Sequence, residues 1–273
     1  MWGSDVSAYA VEITAEKTHQ AIEQGVDYLV EGERGFNVFE LIQHNSEAWA
    51  PVKGEINFGY VPSVHWFRVS LESGSAQPID RLLEISYPLL DHVSIYFFTG
   101  ESLTNSFATG DALPFARRPI EHRHFLFPLK FAAGQSHTLF VRVQTEGALQ
   151  VPLHLWDERQ FHVEDTRETA VNFLYYGILL IMAAFNLTLF FLIRDKSFVS
   201  YVLFVAAILV TVASIDGYVY QFVLHDAPRL HEILILLVVP LTIVSICVFT
   251  MQFLQLEKHS VFWYRGFAVF AVA

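Results

Sequence analysis

A single cysteine, Cys247, is all that the 273 residues contain, and it lies in an apolar run, which excludes an intramolecular disulfide and any cysteine-based metal site. Charge is scarce as well. Only 16% of the residues are Asp, Glu, Lys or Arg, against about a quarter in ordinary soluble domains, while 53% are hydrophobic. Catalytic signatures are missing: there is no Gly-x-Ser-x-Gly elbow, no glycine-rich phosphate loop and no His-Glu-x-x-His. The histidines have no His-x-x-x-His or similar ligand spacing, so nothing here calls for a metal or a cofactor, and enzyme chemistry has no support. The acidic pairs Asp157-Glu158 and Glu164-Asp165 fall in an expected loop and linker, where solvation accounts for them.

The scarcity of charge is uneven. Up to Ala170 there are 23 acids and 12 bases; beyond it there are 5 of each, so the whole formal charge of −11 belongs to the N-terminal part. A net-negative domain gains nothing from nucleic acid or from an anionic lipid surface, which excludes both as partners of that part and leaves small neutral or cationic ligands open. Ala8-Tyr9-Ala10 has the small-x-small form of a signal cleavage site, but only Met1 to Ser7 precede it, without a basic residue, so it reads as a truncated signal.

After Thr169 the pattern is that of lipid-embedded helices. No charge interrupts Thr169 to Ile193, and Phe173 to Ile193 is long enough to cross hydrocarbon, which takes about 20 residues. Arg194-Asp195-Lys196 closes this first span. Ser197 to Ile215 forms the second, fading at Asp216-Gly217-Tyr218, and Ile233 to Leu256 the third, after a loop at His225 to Arg229. Phe262 to Ala273 starts a fourth that stops short, so further chain is expected. Two basic residues in the first turn place it in the cytoplasm, and the N-terminal domain then faces the periplasm of a bacterial inner membrane. Pro240 is expected to kink the third span. Asn186, Thr188, Thr211 and Ser214 are expected to bond between helices. Asp216 is the one intramembrane carboxylate, too little for an ion path.

Between Gly35 and Gln160 short alternating runs are punctuated by Gly, Pro, Asn and Asp, the signature of an all-β sandwich or barrel. The expected organisation is a truncated signal and a loosely helical or extended lead-in over 1–34, the sandwich over 35–160, a linker over 161–172 and membrane helices over 173–273. Strands are expected at His65 to Leu71, Leu82 to Tyr87, His92 to Phe98, His124 to Phe131, His137 to Gln144 and Val151 to Trp156. Period two turns Phe67, Val69 and Leu71 one way and Trp66, Arg68 and Ser70 the other; Leu139, Val141 and Val143 oppose Phe140, Arg142 and Gln144. A second face then collects Trp66, Arg68, Glu84, Tyr96, His124, Arg142, His154 and Trp156, with His92 and Leu126. Aromatic rings beside Arg, Glu and His suit a sugar or other small polar ligand: a flat platform for C–H groups, with charged groups for hydroxyls. The competing reading is a half-solvated outer face, with Trp66 covered by the N-terminal segment. Arg117-Arg118 and His122-Arg123-His124 form a local basic cluster, read as a solvated loop or, less simply, as a place for an anion.

Trp49-Ala50-Pro51, Phe58-Gly59-Tyr60-Val61-Pro62, His65-Trp66-Phe67-Arg68 and Glu84 to Val93 resemble the extracellular sensor domain of bacterial seven-transmembrane receptors with diverse intracellular signalling modules. So do Phe125 to Leu129, Leu139 to Val143 and Pro152 to Trp156, and in the membrane half Tyr176-Gly177-Ile178, Phe185 to Phe191, Arg194 to Phe198 and Gly217 to Gln221. The resemblance implies a jelly-roll domain similar to carbohydrate-binding modules, a seven-helix membrane region and a cytoplasmic output such as a diguanylate cyclase or histidine kinase, of which the last helices and the output lie outside this sequence. The expected partners are the lipid bilayer and a small-molecule or carbohydrate ligand. A periplasmic protein docking on the sandwich and a transporter component are the alternatives.

Overall fold

The computed structural model describes residues 10–32, 35–43 and 49–272, so Ala8 and Tyr9 of the cleavage-like tripeptide lie outside the described residues. It divides into two compact units, 1–164 and 165–273.

The first unit contains strands β1 (Val11–Ile13), β2 (His19–Ala21) and β3 (Val26–Val30), then helix α1 (Val38–Gln43). Ten further strands follow: β4 (Ala50–Pro51), β5 (Asn57–Tyr60), β6 (His65–Ser73), β7 (Ile79–Ile85), β8 (His92–Thr99), β9 (Ser102–Thr109), β10 (Phe125–Phe131), β11 (Ser136–Gln144), β12 (Ala148–Gln150) and β13 (Leu153–Trp156). The larger sheet runs β4-β3-β6-β11-β8-β9, with β1 parallel to the end of β6; the smaller runs β10-β7-β13-β2; β5 and β12 form a ribbon. The chain passes between the sheets from β6 to β7, β7 to β8, β9 to β10 and β10 to β11, as in a jelly roll.

Alternation builds the core. Phe67, Val69 and Leu71 of β6, Ile95 and Phe97 of β8, and Leu139, Val141 and Val143 of β11 turn inward and are fully buried. Leu83, Ile85, Phe125, Phe127 and Leu155 meet them from the smaller sheet. Each such side chain contributes about 1.5–3 kcal/mol of burial.

The structure adds to the expectations or corrects them in four places. The segment before Gly35 is no lead-in: it forms three strands, and Val11, Ile13, Ile22 and Val26 belong to the core. β9 is an added strand at the sheet edge, where polar side chains facing water hide the alternation. The expected linker 161–172 is helical, and Asp157 caps that helix by accepting from the N–H groups of Arg159 (3.1 Å) and Gln160 (3.2 Å). The basic cluster is no solvated loop, since Arg118 and Arg123 are 5% and 3% exposed. The Arg118 guanidinium lies 4.8 Å from the ring of Phe115 and 4.4 Å from that of Phe125, and donates to the carbonyls of His122 and Arg123.

Helices α2 (Glu158–Ile193), α3 (Lys196–Ile215), α4 (Tyr218–Phe222), α5 (Pro228–Phe253), α6 (Leu256–His259) and α7 (Val261–Val272) complete the chain. Three of them, α2, α3 and α5, are long and apolar enough to cross a bilayer. Asp195 caps α3 by accepting from the Ser197 N–H at 2.9 Å, and Gly217, at φ 81°, ends it in the left-handed region that glycine tolerates. α5 begins at Pro228, five residues ahead of the expected span, and continues as one helix through Pro240. The tyrosine hydroxyl of Tyr176 on α2 donates to Asp216 at 2.6 Å, so this carboxylate is held by a partner inside the second unit.

Of the four polar groups expected to bond between helices, one does so among the described residues. Thr211 meets Thr242 of α5 at 2.8 Å. Asn186, Thr188 and Ser214 instead donate to carbonyls one turn back on their own helices, at 2.9, 2.9 and 2.7 Å. A single helix can satisfy these donors by itself, so polarity in a span does not require a neighbour.

Candidate functional site

The eight candidate residues do not share one face. Period two correctly turns all of them away from the core, but the core has two sides, and the pairing of strands places four on each outer surface. Trp66, Arg68, Tyr96 and Arg142 lie on the larger sheet; Glu84, His124, His154 and Trp156 go with the smaller. Alternation fixes a side chain's direction relative to its own strand and says nothing about which sheet that strand joins.

On the smaller sheet the residues close on one another. Glu84, 5% exposed, accepts from the Trp156 indole at 2.7 Å and from His124 Nδ1 at 2.6 Å. Arg123 Nη1 lies 2.9 Å from His124 Nε2, and because a guanidinium can only donate, Nε2 is the acceptor and His124 is the neutral Nδ1–H tautomer. Burial and the neighbouring Arg123 charge hold the His124 imidazole below its ordinary value, against the pull of Glu84. Burial would raise the Glu84 carboxyl, but the hydrogen bonds donated by His124 and Trp156 outweigh it, and the carboxyl lies below its ordinary value. His19 stacks on Trp156 with centroids 3.8 Å apart and meets His154 at 3.2 Å. Phe161 and Leu126 pack with Trp156, and Glu84 and His124 are buried, while His154 is half-buried and His19 exposed at the margin of the group.

On the larger sheet register brings the candidates together. Leu29, Trp66, Arg142 and Ser94 form one rank across β3, β6, β11 and β8; Asp27, Arg68, Phe140 and Tyr96 form the next but one. Arg68 pairs with Asp27 directly opposite at 2.7 Å, and its guanidinium lies 4.7 Å from the Trp49 ring. Trp66 stacks on Tyr96 at 5.8 Å. Trp66 is 1% exposed, buried with Val38, Leu41 and Trp49 in a second apolar cluster under α1, so it is no open platform.

The residue that organises this face was not among the candidates. Glu31, just past β3, accepts from the Trp66 indole at 2.7 Å and from Arg142 through Nε at 2.8 Å and Nη2 at 3.3 Å. Gly35, at φ 67°, closes over it: a Cβ there would come within 3.2 Å of Glu31 Oε1. Above the trio an open cleft of about 630 Å³ lies between α1 and the sheet. Tyr96, Ser94 and Arg142 form its floor with Trp66, and Asn37, Phe39 and Glu40 its α1 side. The run Val26 to Val30 was the sequence signal for Glu31: five strand-forming or alternating residues immediately before an acid.

A two-sheet sandwich with an open polar cleft, followed along the chain by three helices long and apolar enough to span a bilayer, is the architecture of a membrane protein. The description "7TMR-DISM extracellular 2" matches residues 23–157, and "7TM diverse intracellular signalling" matches residues 168–273. The chain belongs to the seven-transmembrane receptors with diverse intracellular signalling modules. No curated protein matches its sequence. Among solved structures it is similar to the β-glucuronidase of Parabacteroides merdae, at 10% identity and a TM-score of 0.35 over 52% of this chain and 21% of that one. It is similar also to the β-glucuronidase of Ruminococcus gnavus, at 9% identity and a TM-score of 0.32 over 51% and 28%. A pre-peptidase C-terminal domain of a Bacillus anthracis collagenase gives 8% identity and a TM-score of 0.26 over 54% and 92%. Likenesses this distant carry no argument about ligand or activity.

Proposed function

We propose that this receptor senses a small polar ligand, a carbohydrate, in the cleft on the larger sheet, with the sandwich in the periplasm of a bacterial cell and the helices in its inner membrane. The observation that carries the reading is the convergence of Trp66 and Arg142 on Glu31 beneath an open cleft, with Tyr96 and Ser94 beside them. Such a site presents an aromatic ring for C–H groups and fixed polar groups for hydroxyls, held rigid by strand register. The basic turn at Arg194 and Lys196 supports the orientation. Binding signals only if the ligand prefers one arrangement of the helices over another, and the family points to a cytoplasmic signalling output beyond this sequence.

Exposed Phe36 and Phe39 on the cleft rim favour a second reading, a periplasmic protein as the occupant. Calorimetry on the full chain in nanodiscs with a panel of mono- and disaccharides separates the two. Sugar binding that Tyr96→Ala weakens at least about tenfold supports the carbohydrate reading. Binding that ignores both Tyr96→Ala and Arg142→Ala, or no sugar binding at all, removes it. A reporter inserted near Asp111 that is active only inside the cell would reverse the orientation.

A further inference from the structure

We propose that the occupant of this cleft is a sugar bearing a protonated amine; the inference rests on the reading of the cleft as the ligand site. Among the described residues that line the cleft there is one cation, Arg142, and it is already paired. Arg142 gives Nε and Nη2 to Glu31, and the Trp66 N–H goes to the same carboxylate. Arg142 keeps further N–H donors, but its charge is already offset by Glu31, so an anion entering beside that carboxylate, whose side chain is 11% exposed, meets repulsion with no uncompensated cation to repay it. A neutral sugar meets no such obstacle, and a cationic one gains something more.

That gain comes from Glu40. It stands in the first turn of α1, exposed, on the α1 side of the cleft. With Glu31 and Arg142 cancelling each other, Glu40 leaves the described lining residues with one net negative charge. Phe39, half exposed, and Tyr96 place aromatic rings by the same opening, and an ammonium is attracted to ring faces as well as to a carboxylate. The surrounding field has the same sign, since the chain to Ala170 carries 23 acids and 12 bases, so cations are drawn toward this domain. Hydroxyls would then be read by Ser94 and by the Asn37 amide group, whose oxygen accepts from the Phe39 N–H at 3.0 Å while its NH2 stays available.

The test is calorimetry on the full chain in nanodiscs at neutral pH with glucosamine, glucose and glucuronate. Glucosamine is expected to bind about fivefold more tightly than glucose, the value of one exposed ion pair, with glucuronate weakest. Glu40→Gln should bring glucosamine down to the level of glucose, and Glu40→Lys should turn the order toward glucuronate; both changes fall on an exposed helix position and leave the fold intact. If glucose binds as tightly as glucosamine, or if the margin survives Glu40→Gln, the amine is not what the cleft selects, while the cleft itself still stands. If none of the three sugars binds, both the amine and the carbohydrate reading fall.

Discussion

The indole N–H of Trp66 lies 2.7 Å from a Glu31 oxygen that also accepts from Arg142 Nε at 2.8 Å, so one carboxylate holds a buried ring and a half-buried cation at once. Glu31→Ala therefore strands two donors. Leaving buried donors without an acceptor costs about 1–3 kcal/mol each, more for a charged one, so the variant is expected to lose about 2–4 kcal/mol. Thermal unfolding of the full chain, followed by tryptophan fluorescence, should show a clearly lower midpoint for Glu31→Ala than for Asn37→Ala. Equal midpoints would mean that the trio is ornamental.

Acidification is expected to weaken the β-sandwich domain. Burial holds His124, His137 and His154 below their ordinary 6.5, and Glu84, for which burial is outweighed by His124 and Trp156, lies below its ordinary 4.5. Each group binds fewer protons folded than unfolded, so its contribution is complete above the ordinary value and is lost as pH falls toward the lowered one. The histidine loss starts as pH drops through 6.5 and the Glu84 loss below 4.5. Unfolding midpoints measured from neutral to mildly acidic pH should fall, and His137→Gln should flatten the slope. A midpoint that rises on acidification contradicts the assignment.

Gly110 sits at φ 155°, where β9 ends against the entry to β8, and a Cβ added there would lie 1.8 Å from the Asp91 carbonyl oxygen. The obstacle is backbone, which cannot rotate away. Gly110→Ala should cost on the order of 4 kcal/mol or prevent folding, whereas Gly100→Ala, at φ 59° with nothing within 4 Å, should cost only backbone strain of about 1 kcal/mol. Yield and melting temperature of the two variants give the comparison.

How far the sequence could carry these conclusions depends on which physical signal each residue obeys. Strands β6, β8 and β11 alternate between core and surface, so Phe67, Ile95 and Val141 were legible as core, and Trp66, Arg68, Tyr96 and Arg142 as one surface. Sheet membership was not legible, because it is set by pairing over long separations: Glu84 and His154 pair across 70 positions, and that put half of the proposed face on the other side of the domain. Charge misled at Arg81, which is buried at 6% exposure because it donates to the carbonyls of Thr14 and Lys17, so β7 starts three residues earlier than expected. Glu31 went unseen because the strand before it was read as lead-in. In the membrane half length and lack of charge decided the spans, while the partners of polar groups depend on helix packing that no local pattern records.

Thr211 and Thr188 separate the two fates of a hydroxyl inside a span. Both donate to a carbonyl four residues back, at 2.9 Å, but Thr211 alone also meets a second hydroxyl, Thr242 of α5, at 2.8 Å. Hydrogen bonds between membrane helices are worth about 0.6 kcal/mol on average and up to about 2. Thr211→Val, which keeps the shape and removes the bond, should weaken α3 against α5 by that amount. Thr188→Val should be neutral or slightly stabilising, because its hydroxyl only satisfies itself on α2. Unfolding in mixed micelles by titrated denaturing detergent reads the difference. In a double-mutant cycle Thr242→Val should add nothing once Thr211 is already Val, and a fully additive result would show that the two hydroxyls do not bond in the membrane.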